Sequence, residues 1–161
     1  MTVWRMLVTI AAGAAAGYLF WPAVDRPGEK RSLTCFSNVK QLGLALVLYA
    51  NDHDDRFPDR DQWMDAAGEY AKGPQIFHCP EVAKRDAWNR FGYSFDAALS
   101  RQQTFKFDEQ AAPLVYDSVN EARNASDRFN SLPKPGRHDG ANNIVFTDAH
   151  ARRMIPNGPK D

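Results

Sequence analysis

Residues 6–21, MLVTIAAGAAAGYLFW, form a run of sixteen positions without a charge, preceded by Arg5 and edged by Trp4, Tyr18 and Trp21. No other feature restricts the chain so tightly, because a segment this apolar must be covered by lipid or by protein. As a helix, residues 4–21 would reach about 25 Å at 1.5 Å per residue, close to the roughly 30 Å hydrocarbon thickness of a bilayer. Aromatic side chains at both ends suit the two membrane interfaces. A cleaved signal peptide is the competing reading, since AAGAAAG offers small-residue cleavage positions, and a buried core helix is a third. Cleavage there would leave residues 18–21 as an exposed apolar end, so the uncleaved anchor is the expectation. Either export reading delivers the rest of the chain outside the cytoplasm. Gly13 and Gly17 share one face of this helix, a spacing that lets a second helix pack closely in lipid.

The remainder has the size of one domain. At 161 residues, 43% hydrophobic and 25% charged, the chain can bury a single ordinary core. Its 20 basic and 20 acidic residues cancel and form no long block of one sign, so no nucleic-acid partner is expected.

After Pro22, residues 23–31 (AVDRPGEKR) read as a polar hinge, with Pro27 and Gly28 opposing continuous helix. Beyond it, Cys35, Val39, Leu42, Leu46 and Tyr49 recur in steps of four, three, four and three, one stripe along a long helix. Leu44, Val47 and Leu48 widen the stripe, so most of the helix is expected to be covered, with a polar stop from Asn51 to Pro58. DRDQWMDAAGEYAKG reads as a short helix, capped by Asp59 or Asp61, with Trp63, Met64, Ala67 and Tyr70 on one side and Gly73 as its stop. QIFHCP, FGYSF, PLVYDS and NNIVFT are short runs rich in β-branched and aromatic residues, and HARRMI is a return strand after a turn at Asp148 and Ala149. Helices first and strands late make an α+β fold with a largely antiparallel sheet.

CFSNVKQLGLALVLYANDHDDRFP, followed in order by FHCP, YSFDAAL, LVYDS and RHDGANNIVFTDAH, resembles the bacterial pilin-like and pseudopilin-like proteins that carry a C-terminal His-x9-Asp-Gly motif, relatives of the major pseudopilin of type II secretion. The resemblance covers residues 32–154. It implies a membrane helix running into a long scaffold helix packed on a small antiparallel sheet, export, and in many members assembly into a filament or secretion pseudopilus. The chain departs from that pattern at its start: no Gly-Phe-Thr-Leu-Ile-Glu type processing site is present, and Arg5 stands near the place of the usual acidic residue.

In an exported domain Cys35 and Cys79 are expected to pair as a disulfide. Closing a loop of about 45 residues would stabilise the fold by about 4 kcal/mol on the chain-entropy account. Two buried thiols, or a metal site using His78 and Cys79, are the alternatives. The family motif runs from His138 to Asp148, and the glycine that usually follows is Ala149, a residue that resists positive φ. Gly140, with Pro133, Pro135 and Gly136, fixes the path of the approach loop at residues 137–140. Residues 138 and 148 are separated by up to about 33 Å of extended chain, so direct contact is not assumed. Asp117, at the end of LVYD, is the third member if its strand lies beside the motif strand: it can accept a hydrogen bond from His138, or join Asp148 in holding calcium. Structural hydrogen bonding is the primary expectation, with no cofactor.

No nucleophile beside a base, phosphate-binding glycine loop or zinc-protease helix is present, so no enzymatic activity is expected. A metal-dependent hydrolase built on Asp117, His138, Asp148 and His150 is the contrary case. The chain divides into an anchor (1–22), a hinge (23–31), a globular domain (32–155) and a tail (156–161). Its expected role is a structural or interaction subunit of a pilus-like or secretion-related assembly, single-pass in the bacterial cytoplasmic membrane with its domain outside. Other pilin-like subunits, secretion machinery or further copies of itself would be its partners. The alternative is a solitary envelope-anchored module that binds a ligand or metal.

Overall fold

Residues 27–82, 89–107 and 109–156 are described by a computed structural model. The anchor with Gly13 and Gly17, the first part of the hinge and residues 157–161 lie outside them.

The first described element is helix α1, Pro27–Asp52, 26 residues and about 39 Å long. The hinge expected over residues 23–31 is therefore helical from Pro27 onward. A proline is tolerated in a first turn, where its missing N–H would find no partner within the helix, and Glu29 complements the positive end of the dipole. Cys35, Val39, Leu42, Ala45, Leu46 and Ala50 are buried along one side. Beyond Asp52 the left-handed backbone of Asp54 and Asp55, φ 52° and 55°, turns the chain away. By length and composition Gly28–Asp52 is apolar enough to cross a membrane, yet 44% of its most apolar window is buried by the domain, the packing of a core helix.

Helix α2 is shorter than its sequence suggests, Trp63–Gly68, and starts at Gln62 without a side-chain cap. Asp59 instead accepts the Asp61 N–H at 2.9 Å in a local turn. The orphan N–H of Met64 is taken by Asn124 Oδ1 at 2.8 Å, a partner sixty residues away. A distant loop thus caps this helix.

Five strands follow: β1 Tyr93–Asp96, β2 Pro113–Asp117, β3 Ser126–Asp127, β4 Asn142–Phe146 and β5 Ala151–Met154. The sheet order is β3-β1-β2-β4-β5. Pairings of β1 with β2, β2 with β4 and β4 with β5 are antiparallel, while β1 and β3 are parallel, so the sheet is mixed. QIFHCP is not a strand: Pro74–Phe77 is a 3-10 turn, with Ile76 and Phe77 buried. Proline at its start and burial beneath α1 and α2 override the β-leaning composition.

Both faces of the sheet are covered. Helix α1 lies over β2 and β4, where Val39, Leu42 and Leu46 join Phe95, Val115 and Val145 in the main core. A Cβ at Gly43 would overlap the Val145 side chain, so the bare backbone there sets how closely α1 approaches β4. On the opposite face Tyr116, Ile144 and Phe146 pack with Phe129, Leu132 and Met154. The apolar run NNIVF follows from this double burial.

Candidate functional site

The chemistry-bearing residues meet where β2 ends and β4 begins. The segment Gly136-Arg137-His138-Asp139-Gly140-Ala141 folds into a miniature hairpin. His138 and Ala141 exchange backbone bonds of 2.8 and 3.0 Å around Asp139 and Gly140, whose φ values are 53° and 85°. Two successive positive φ angles are the signature of a primed turn, which Asp-Gly adopts readily. A Cβ at Gly136 would collide with the backbone of Gly140 and Ala141, so the hairpin closes only over glycine. Asn142 secures it from below, accepting the Arg137 N–H at 3.0 Å and donating to the Pro133 carbonyl at 2.9 Å. Asp-Gly was the legible signal for this hairpin; read from sequence, residues 137–140 are only an approach loop.

The hairpin turns His138 inward, to 2% exposure. Its Nε2 lies 3.2 Å from Asp117 Oδ2, and both side chains are fully shielded from solvent. Asp117 Oδ2 also accepts the Asn143 N–H at 2.5 Å, while Oδ1 has no hydrogen-bond partner and faces the Arg137 guanidinium at 3.8 Å. Arg137 itself donates to the Gly92 carbonyl at 2.8 Å and to the Ser118 carbonyl, joining the start of β1 to the end of β2. His138 Nδ1 and both side-chain polar atoms of Asn143 are buried without partners.

The two cysteines complete the cluster. Cys35 is carried by α1, and Cys79 is fixed by its N–H to the Phe91 carbonyl at 2.9 Å. Asn38, one turn after Cys35, donates to the His78 carbonyl at 3.0 Å and so holds the same segment against α1. The sulfurs are 2.7 Å apart, unbridged and wholly buried. Cys79 Sγ is 3.8 Å from His138 Nε2. Gly92, at φ 84°, allows this approach: a Cβ there would meet Val82 at 2.8 Å, Arg137 at 3.1 Å and the Cys79 Cβ at 3.4 Å. Gly92, Arg137 and Asn38 were not singled out as site residues from the sequence, since nothing local distinguishes them from ordinary turn, surface and helix positions.

The electrostatics follow from these contacts. Burial opposes ionisation of Cys79, but hydrogen bonds from Cys35 and His138 outweigh it and bring the thiol down to about 5. Burial likewise opposes the His138 imidazolium, and the bonds to Asp117 and Cys79 reverse that, raising it to about 9. Cys35, bonded to Cys79 and buried, is pushed up and keeps its proton. The contacts therefore favour a protonated Cys35, an ionised Cys79 and a charged His138, with Asp117 and Arg137 beside them.

Asp148 and His150 lie elsewhere. They sit in the turn between β4 and β5, at the opposite end of β4 from Asp117, so Asp117 and Asp148 do not meet and share no cation. Asp148 Oδ1 accepts the His150 N–H at 3.1 Å and faces His150 Nδ1 at 2.5 Å, and the His150 ring stacks on Phe146 at 4.4 Å. Ala149 takes φ 63°, so the turn keeps the left-handed backbone of a glycine despite its methyl group. A hydrolase using all four residues has no common centre here.

Among the described residues, Cys35, Cys79 and His138 are the one set whose donor atoms all lie within 4.8 Å and could hold a metal ion. No family model matches the chain, and no curated protein or solved structure matches it. The fold defines an α+β protein with one long helix near its N-terminal side and a small mixed sheet.

Proposed function

We propose that this chain is an envelope-anchored, pilin-like structural or interaction subunit that works by lateral association. The observation that carries this reading is the outward side of α1. Its inner side is spent on the sheet, yet Leu33, Leu44 and Leu48 remain 56%, 53% and 40% exposed. At 100° per residue these three leucines fall on one face, spread over about 22 Å of helix. A second copy, or a related subunit, laid along this face would remove them from water, in keeping with the resemblance of residues 32–154 to pilin-like proteins. The uncharged run at residues 6–21 would hold the chain in the cytoplasmic membrane with the domain outside, and Gly13 and Gly17 would let anchors pack.

Replacing Leu44 and Leu48 together by Glu tests this in the full chain. Cross-linking in native membranes should fall at least tenfold, with an unchanged circular dichroism spectrum. A chain that is monomeric in those membranes before and after substitution would sink the proposal. One observation favours the second reading, a solitary ligand-binding module: an open cleft of about 770 Å³ beside the end of α1, lined by Tyr49, His53, Asp59, Glu69 and Arg101 among others. Monomeric protein that binds a small polar ligand there would support it instead.

A further inference from the structure

The buried row Cys35, Cys79, His138 and Asp117 is more than a set of packing contacts. It places the only two cysteines of the chain side by side next to an imidazole, all sealed from water. Two chemistries suit such a row, a soft metal ion or a sulfur–sulfur bond, and the distances separate them. Two thiolates bound to one tetrahedral zinc at about 2.3 Å each would be about 3.8 Å apart. The observed 2.7 Å is too close for that by roughly one ångström. A disulfide at about 2.05 Å requires a smaller inward shift. His138 Nε2, the nitrogen nearest to Cys79, is also committed to Asp117, which removes the lone pair that a metal would need. A cysteine-protease arrangement fails for a related reason: the same ring nitrogen faces both sulfur and carboxylate, and Nδ1 is unpartnered, so no proton relay runs through the ring.

We propose that Cys35 and Cys79, whose sulfurs lie 2.7 Å apart, form a thiol–disulfide redox site in which Cys79, the sulfur beside His138, is the attacking one and Asp117 positions His138. The oxidant class is an external disulfide, either a small molecule such as oxidised glutathione or an oxidised thiol oxidoreductase. The Cys79 thiolate attacks one sulfur of that disulfide. A Cys79–sulfur bond forms, the external bond breaks, and the departing sulfur leaves as a thiolate. Cys35 then gives up its proton to that thiolate and attacks the Cys79 sulfur, and the second external sulfur leaves as a thiolate. Two electrons pass to the external disulfide, which ends as one thiol and one thiolate, and α1 is joined covalently to the segment preceding β1. A cavity of about 120 Å³ reaches His138, bounded by Arg31, Ser32, Glu81, Arg137 and Asp139, while both sulfurs remain wholly buried. Exchange in the folded protein is therefore slow and requires partial opening of the domain.

His138 is a positioning residue with a measurable signature. Its imidazolium stabilises the reduced form, which contains the thiolate, more than the oxidised form, which does not. It makes the pair easier to reduce than a disulfide in neutral surroundings.

The test uses full-length protein from membranes, equilibrated through a partly unfolded state with glutathione redox buffers, quenched with acid and alkylated for mass spectrometry. A single two-electron transition with a Cys35–Cys79 linked peptide is expected. His138→Gln should move that equilibrium about tenfold toward the disulfide, equivalent to about 30 mV. If that variant does not fold, reduced wild-type protein gives a second readout: its thiolate absorbance should persist below pH 7 and disappear near about 5. Two alkylatable thiols in the most oxidising buffer would overturn the proposal. So would stoichiometric zinc that protects both thiols until chelated, an equilibrium indifferent to His138→Gln in folded protein, or a thiolate that appears only above pH 8.

Discussion

The strand β4 has a histidine–aspartate pair at each end, and the two pairs behave as different chemical objects. At its start, His138 and Asp117 come from separate elements, touch at 3.2 Å and have no solvent exposure. Past its far end, His150 and Asp148 are two residues apart, touch at 2.5 Å and are about half exposed, at 48% and 53%. The closer pair is the weaker contributor. Exposed charges are solvated equally well apart, so their contact adds little, whereas a buried charge that loses its partner must bear its desolvation alone. Distance alone therefore misranks these pairs, and burial restores the order.

The largest expected effect is at the buried end. Asp117→Ala leaves the His138 imidazolium and the Asn143 N–H without their partner and removes the carboxylate that faces Arg137, and should destabilise the domain by about 3 to 5 kcal/mol in urea unfolding. A loss below about 1 kcal/mol would show that the two ends are equivalent after all.

A pH titration sharpens the same contrast. The folded value of His138 is raised, to about 9, above an ordinary value of about 6.5. Its contribution is thus complete below about pH 6.5 and disappears as pH rises through about 9, on the order of 3 kcal/mol. Cys79 acts in the opposite sense: lowered to about 5, its thiolate adds stability that is lost as pH falls toward that value. In Cys79→Ser only Asp117 remains to raise His138, so unfolding free energy should still decline as pH rises above about 6.5, over a narrower range than in the parent. A flat profile in that variant would contradict the protonated buried pair.

At the exposed end, Ala149→Gly should stabilise the protein by about 1 kcal/mol, because the left-handed backbone at φ 63° disfavours a Cβ. Thermal melting measures this directly, and a lower melting temperature would show that the Ala149 methyl contributes packing that outweighs its strain. The smallest effect belongs to Asp148→Asn. Asparagine keeps an oxygen for the His150 N–H, so the change should stay within about 0.5 kcal/mol, with or without calcium. A melting temperature that rises with calcium in the parent and not in this variant would turn the outer turn into an ion site.

Much of the scaffold is legible in the sequence itself. The apolar stripe through Cys35, Val39, Leu42 and Leu46 fixes α1 because its period matches a helix and nothing else, and NNIVF with HARRMI marks a hairpin by composition and turn position. Three features misled or escaped such reading. Pro27 looks like a break but opens the helix, QIFHCP has strand composition but is bent beneath two helices, and β3 is only two residues long, below the reach of any periodic signal.

What the sequence determined by itself is local and periodic: a long helix with one buried side, short strands afterward, an approach loop at residues 137–140 and the inventory of two cysteines, two motif histidines and their aspartates. The approach of Cys35 to Cys79 and of His138 to Asp117 is expected pair by pair, the second only if β2 lies beside β4; that the two pairs join in one buried row was decided by tertiary structure. Asp117 lies beside Asn143 because β2 runs antiparallel to β4, and that register brings the end of one strand to the start of the other. Cys35 meets Cys79 because α1 crosses the sheet at the distance set by Gly43 over Val145, and Cys79 reaches His138 because Gly92 leaves room. These contacts depend on strand register, helix approach and missing Cβ atoms in segments far apart in the chain. No local pattern encodes them, since each arises only when separate surfaces are pressed together.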